Sequence, residues 1–116
     1  MKAEKKFKDF KSFYPFYLTE HSNYMNRLLH FIGTLILLLC LVIGIITGIW
    51  WLFAVIPFVG YGFAWTGHFF IEKNRPATFT YPLYSLASDF VMFWHILTGR
   101  INEKIEEAKK NNYQII

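Results

Sequence analysis

The chain has 116 residues, of which 54% are hydrophobic, 21% aromatic and only 17% charged. This composition is too apolar for a small soluble domain, and it excludes a disordered chain, which needs high charge and few aromatic residues. The net charge of +4 does not indicate nucleic acid, because the basic residues flank an apolar block and no RNA-binding signature or zinc-finger spacing is present. Cys40 is the single cysteine, so an intrachain disulfide and a cysteine-based zinc site are excluded. Membrane lipid is the expected partner.

The N-terminal region is basic and then aromatic. Residues 1–12 form a basic segment with five lysines, and Phe13, Tyr14, Phe16 and Tyr17 follow as an aromatic patch. Lysine side chains and aromatic rings suit the interface between lipid and water. We therefore expect this region at a membrane surface.

A charge-free run extends from Phe31 to Ile71, interrupted only by His68. Its length is about twice the ~20 apolar residues that one membrane-crossing helix needs. Gly48 breaks the run near its middle. The pattern predicts two spans, at about 31–47 and 50–70, joined as a tight hairpin.

A further helix is expected at about 82–98, with Pro82 in its first turn and Gly99 after its end. It is short for a span and contains Asp89, which favours a helix that lies in the interface or re-enters the membrane. Residues 101–116 read as a charged tail outside lipid. The predicted fold is therefore all-α: an integral membrane helical hairpin plus interfacial or re-entrant helices, in one membrane domain over residues 13–100.

Lys and Arg are distributed on one side of the predicted hairpin. They precede the first span and follow the second, and residues 47–50 contain none. Positive charge near span ends marks the cytoplasmic side. We expect both termini to be cytoplasmic, in a bacterial inner membrane or the endoplasmic reticulum.

Polar residues near the cytoplasmic end of the hairpin form a candidate metal site. His30 and His68 lie at equal distances along the chain from the middle of the turn, so they should share one depth. Glu72 follows His68 by one helical turn on the same face. A break at Ser22 can bring His21 back toward this cluster. Ionisable groups at membrane depth usually mark function.

Nitrogen and carboxylate ligands of this kind suit iron, manganese, zinc or copper, and two histidines with a carboxylate are typical of non-haem ferrous oxygenases. The spacing does not choose among these metals. The alternative for each histidine is an interfacial residue hydrogen-bonded to backbone or to a lipid headgroup.

Other polar residues have two interpretations each. Asn26 could orient His30 or cap the helix, whereas Arg27 and Arg75 could hold a substrate carboxylate or bind lipid phosphates. Asp89 could be a ligand, an acceptor for a ligand histidine, or an exposed residue.

Two motifs carry a resemblance to a known family. Residues 21–30 read HxxxxNRxxH, and residues 67–89 read GHxxxExNxPAxxxxPLxSLxxD. The chain resembles a family of small membrane proteins, long catalogued as a domain of unknown function, whose fungal member is an endoplasmic-reticulum 2-hydroxy fatty acid dioxygenase of phytosphingosine breakdown. The resemblance implies a ferrous site on His21, His30 and His68 and places His95 outside it.

The resemblance therefore implies an Fe(2+)-dependent membrane dioxygenase that uses O2 to shorten a long-chain 2-hydroxy fatty acid by one carbon with release of CO2. The residues expected to orient a ligand or bind substrate are Asn26, Arg27, Asn74, Arg75 and Asp89. The alternatives are a non-catalytic membrane protein that organises lipids or partners, and a metal-dependent lipid hydrolase. The oligomeric state does not follow from the sequence.

Overall fold

The computed structural model describes residues 7–115, with side chains described for residues 7–110. This part of the chain is helical and contains no strand, which confirms the predicted all-α class. The helices are α1 (Phe10–Thr19), α2 (Tyr24–Thr47), α3 (Trp51–Thr66), α4 (Pro82–Leu97) and α5 (Ile101–Ile115). A π-helical turn, Gly67–Glu72, extends α3, and a short 3-10 turn, Ala77–Phe79, precedes α4. Residues 1–6 of the expected basic segment lie outside the described residues.

Helices α2 and α3 pack against each other as the predicted hairpin. Asn23 caps α2, because its side-chain oxygen accepts a hydrogen bond of 2.8 Å from the backbone N–H of Met25. Gly48 ends α2 in the left-handed region, with φ of 74°, a conformation that glycine adopts without a Cβ clash. The two helices approach closely where Gly33 meets Phe63: a Cβ built at Gly33 would lie 2.8 Å from the Phe63 Cβ.

Helix α2, and α3 together with the π-helical turn that extends it (Trp51–Glu72), are each long and apolar enough to cross a membrane. At about 1.5 Å per residue, the 24 residues of α2 extend about 36 Å, which exceeds the ~30 Å hydrocarbon core of a bilayer. The core helix of a soluble protein is mostly buried, but here only 22% and 11% of the most apolar stretches of these two helices are buried. Their large apolar side chains therefore point outward.

Helices α1, α4 and α5 supply most of a second packed region. Its buried residues are Phe13, Tyr17, Leu18, Tyr81, Met92, Ile105 and Ala108. Two features go beyond the sequence expectations. The rings of Phe13 and Tyr17 are buried in this core, and residues 101–115 form a helix that packs on α1. The reason is that Ile101, Ile105 and Ala108 recur at helical spacing and present an apolar face to α1.

Helix α4 is amphipathic, but its polar face is buried and its apolar face is exposed, which is the opposite of a surface helix in a soluble protein. Its buried residues include Ser85 and Ser88, whereas its exposed face consists of Leu83, Leu86, Phe90, Trp94 and Leu97. These five apolar residues recur at helical spacing, so they lie on one face of α4. The polar face of α4 is therefore turned toward the rest of the molecule.

Candidate metal centre

Three histidines from three separate segments meet at the charged end of the hairpin. His21, His30 and His68 are all buried, and each offers one ring nitrogen such that these atoms lie within 4.8 Å of one another. The ring centroids are 4.3 Å apart for His21 and His30, 4.4 Å for His21 and His68, and 5.2 Å for His30 and His68. The structure thus brings His21 together with His30 and His68, the two histidines that the sequence places at one depth.

His21 lies in the short connection between α1 and α2. Its backbone N–H donates to the Leu18 carbonyl over 3.0 Å, which continues the end of α1 by one turn. Its Nδ1 is 2.6 Å from the Tyr17 carbonyl oxygen. A carbonyl only accepts, so Nδ1 carries the proton and Nε2 is left with its lone pair. The Arg27 guanidinium donates to the carbonyls of His21 and Ser22, at 2.9 and 2.8 Å, and so holds this connection in place.

His68 lies in the π-helical turn, a kind of irregularity that is frequent at functional sites. Its Nδ1 is 2.7 Å from Oδ1 of Asn74. The orientation of that amide is defined on its other side, where Nδ2 donates to the Glu20 carbonyl over 3.1 Å. The Asn74 oxygen therefore accepts from His68, and Nε2 of His68 is free to bind a ligand.

His30 lies in α2, one turn after Asn26, and has a carboxylate behind it. Its Nδ1 is 3.5 Å from Oδ1 of Asp89 on α4, and the same oxygen accepts the hydroxyl hydrogen of Tyr17. Burial raises the pKa of Tyr17 well above its ordinary value, and the neighbouring charge of Asp89 raises it further. Tyr17 thus remains a protonated donor to Asp89.

The donor set fits a metal ion. Nε2 of His21 is 3.1 Å from Nε2 of His30, and the Nδ1 atoms of both rings face protein acceptors. Two ring nitrogens this close are stabilised by a shared proton or by a metal ion, and the spacing suits two ligands of one ion. Burial lowers the pKa of His21 well below its ordinary value, and the charges of His30 and His68 lower it further. The ring is therefore neutral at pH 7, the form that coordinates metals.

A small cavity adjoins the three rings. Its volume is about 20 Å³, which is enough for one water molecule or ion. Besides the histidines, its walls include Tyr61 and Trp65 of α3 and Ser85 and Asp89 of α4.

Glu72 is not part of the histidine group, in contrast to the sequence expectation that it is a metal ligand. Its carboxylate accepts a hydrogen bond from the backbone N–H of Asn23. The N–H groups at the start of a helix have no partner within the helix, and the positive end of the helix dipole attracts a carboxylate. Glu72 therefore links the end of the π-helical turn to the start of α2.

The remaining candidates fall into different surroundings. Asn26 does not cap α2; it is fully buried against Gly67, and its side-chain atoms have no hydrogen-bond partner within residues 7–115. Arg75 is exposed and stacks over the Phe79 ring at 5.0 Å. His95 is separate from the cluster, with its Nδ1 2.8 Å from the Tyr14 hydroxyl.

Two residues of the site do not figure among the sequence candidates. Tyr17 stacks on His21 with ring centroids 4.0 Å apart and also binds Asp89. Its position four residues before His21 is the signal that could have indicated it. Ser85 lines the cavity, and its position four residues before Asp89 on α4 places it on the same face.

The fold and the site together define a class of protein: a helical protein with two helices able to span a membrane and a buried three-histidine centre at one end of their hairpin. The chain belongs to the Mpo1-like family, because the family model described as 2-hydroxy-palmitic acid dioxygenase Mpo1-like matches residues 7–101. The resemblance carried by the two motifs is thereby confirmed. No curated protein and no solved structure matches the chain.

Proposed function

We propose that this protein is a non-haem Fe(II) dioxygenase of the membrane that shortens a long-chain 2-hydroxy fatty acid by one carbon. The observation that carries the proposal is the buried cluster of His21, His30 and His68, in which the Nδ1 atoms face protein acceptors and the Nε2 atoms of His21 and His30 face each other. The family to which the chain belongs supplies the substrate class.

The reaction balances without a further reductant. One 2-hydroxy acid and one O2 give the carboxylic acid that is one carbon shorter, one CO2 and one water. The C1–C2 bond breaks, C2 is oxidised to the new carboxyl carbon, and O2 is reduced. No 2-oxo acid or external electron donor is required.

The three histidines would hold the iron, and bound Fe(II) would supply the redox chemistry that allows O2 to react with an organic substrate. The protein residues behind the histidines fix which ring nitrogen is free. The Tyr17 carbonyl does this for His21 and Asn74 does it for His68. Partners of this kind orient metal-binding imidazoles and raise their basicity.

The surroundings of the site suit a molecule with a polar head and an apolar tail. The cavity has polar walls at the histidines and at Ser85, and apolar walls at Ala64 and Trp65 of α3. Tyr61 lines the same cavity and is also exposed on the outer face of α3. Because the cavity itself has room for only a water molecule or an ion, an acyl chain would lie along the lipid side of the hairpin at Tyr61, with its head group directed toward the histidines.

The test combines metal analysis with oxygen uptake. Detergent-purified protein is loaded with Fe(II) and given 2-hydroxyhexadecanoate, with hexadecanoate as the control substrate. We expect one O2 consumed and one CO2 released per 2-hydroxy acid, and pentadecanoate as the product. Loaded protein that consumes no O2 would contradict the proposal, and release of fatty acid from a lipid ester without O2 uptake would indicate a hydrolase.

Variants connect the activity to the cluster. His21→Ala, His30→Ala and His68→Ala should each lose iron and fall to background turnover, because a three-ligand site cannot spare one ligand. His95→Ala is the matched control, since it removes an imidazole that pairs with Tyr14 outside the cluster. We expect it to keep iron and turnover. Normal turnover in the three cluster variants would refute the assignment.

A further inference from the structure

Ser85 is a buried hydroxyl group without a protein partner. The residue is 4% exposed, and its Oγ has no hydrogen bond to any residue of the described chain. Buried hydroxyl groups in proteins are almost always hydrogen-bonded, because leaving one unpaired sacrifices its interaction with water. Where such an unpaired hydroxyl also lines a cavity, a molecule in that cavity can supply the missing partner.

The position of Ser85 indicates where such a partner would bind. Ser85 lines the cavity that adjoins His21, His30 and His68, and it lies one helical turn before Asp89, which stands behind His30. The Tyr17 hydroxyl, which also lines this cavity, is already committed to Asp89. Ser85 thus supplies a free donor and acceptor beside the histidines.

Ser88 provides an internal comparison on the same helix. It is fully buried and its Oγ is also without a hydrogen-bond partner in the described part of the chain, yet it does not line the cavity. The two serines share helix, burial and lack of partners. They differ in access to the histidine cavity, so a ligand in that cavity could meet Ser85 and not Ser88.

We propose that the Ser85 hydroxyl is the hydrogen-bond partner of the 2-hydroxyl group of the substrate and so selects 2-hydroxy acids over unsubstituted acids. This inference rests on the proposed function. A serine hydroxyl both donates and accepts, which matches another hydroxyl. A carboxylate is better matched by Arg or Lys, and the cavity walls, as far as the structure describes them, contain neither. A site that hydrogen-bonds a substrate hydroxyl discriminates strongly against the analogue that lacks it, because its own polar group is then left unpaired.

The experiment measures binding without turnover. Full-length protein in detergent is loaded with Fe(II) under strict exclusion of O2, and calorimetry records the affinity for 2-hydroxyhexadecanoate and for hexadecanoate. Wild type, Ser85→Ala and Ser88→Ala are compared at matched iron content. We expect Ser85→Ala to bind the 2-hydroxy acid about tenfold more weakly, to bind hexadecanoate as wild type does, and Ser88→Ala to match wild type for both.

Three results would overturn the inference: an unchanged affinity of Ser85→Ala for the 2-hydroxy acid, an equal loss in Ser88→Ala, or a wild type that does not prefer the 2-hydroxy acid. Oxygen uptake by the wild type separates this inference from the proposed function. Selective weakening in Ser85→Ala together with no O2 uptake would support the role of Ser85 in binding and contradict the dioxygenase. Normal turnover together with unchanged binding by Ser85→Ala would support the dioxygenase and contradict the role of Ser85 in binding.

Discussion

Each histidine of the cluster has a different acceptor behind it: a backbone carbonyl for His21, a side-chain amide for His68 and a carboxylate for His30. All three direct Nδ1 away from the centre. The amide of Asn74 depends in turn on the Glu20 carbonyl at the end of α1. The geometry of His68 is therefore tied to a segment almost fifty residues earlier in the chain.

Asn74→Ala should weaken iron binding about 10- to 100-fold. The substitution removes the acceptor that holds the His68 proton on Nδ1, so the ring can rotate and the other tautomer becomes available. Asn102→Ala is the control, because Asn102 is exposed on α5. Affinity is measured by competition with a colorimetric iron chelator. Identical affinities for the two variants would show that Asn74 does not orient the ligand.

Glu72→Gln should retain iron, because the structure assigns this carboxylate to the Asn23 N–H and not to the cluster. The amide oxygen of Gln can still accept that hydrogen bond, so the expected cost in unfolding free energy is small, roughly 0.3 to 1 kcal/mol from the lost interaction with the helix dipole. Metal content and denaturant unfolding are measured on the same preparation. Iron loss as complete as that of His68→Ala would make Glu72 a ligand.

The π-helical turn after α3 is the element that positions His68, and it requires a small residue at its start. Asn26 of α2 packs directly against Gly67: a Cβ built there would lie 1.8 Å from Oδ1 of Asn26 and 3.4 Å from its Cα. Gly62, five residues earlier, has open space around it, so it does not serve the close packing that its size suggests. A close contact therefore requires glycine at Gly67, whereas Gly62 has room for a larger side chain.

Gly67→Ala should destabilise the protein by about 1 to 3 kcal/mol, because the added methyl group forces Asn26 and the neighbouring turn to move. Gly62→Ala is the matched control and should be neutral or stabilising by up to about 1 kcal/mol, since Ala is favoured over Gly within a helix. Unfolding in detergent is followed by circular dichroism. Equal stabilities of the two variants would mean that the contact at Gly67 is not tight.

The hairpin and the facing side of α4 are polar inside and apolar outside, whereas α1, α4 and α5 enclose an apolar core. Its buried polar residues include His21, His30, His68, Ser85 and Ser88, whereas large apolar side chains of α2, α3 and α4 are exposed. In water, the buried polar groups and the exposed apolar side chains would both cost free energy. In a bilayer the apolar surface meets lipid, and the polar groups converge on one site, as ionisable groups at membrane depth do.

We expect the turn between α2 and α3 to face the compartment opposite to both termini. In a Cys40→Ala background, Ile49→Cys probes the turn and Lys109→Cys probes α5; both positions are exposed. A membrane-impermeant thiol reagent should label Lys109→Cys from the cytoplasmic side only and Ile49→Cys from the other side only, because Lys and Arg flank the opposite end of the hairpin. Labelling of both cysteines from one side would exclude this topology.

The long apolar run, the break at Gly48 and the positions of His30 and His68 were sufficient to predict a hairpin with two histidines at one level. These features depend on helical rise and on hydrophobicity, which are local properties that a sequence carries directly. Membership of the family likewise followed from the two motifs.

Only the tertiary structure decided the direction of the histidine rings and which polar side chains form the site, because both depend on how separate helices pack. The turn at His21 and the π-helical turn at His68 set the direction of the rings, and no periodicity contains that information. Glu72 has the spacing of a ligand but binds the start of α2, while Ser85 becomes part of the site because the polar face of α4 is turned inward. Which polar group meets the centre is determined by contacts between helices that are distant in sequence, whereas the existence of those helices is determined by the chain itself.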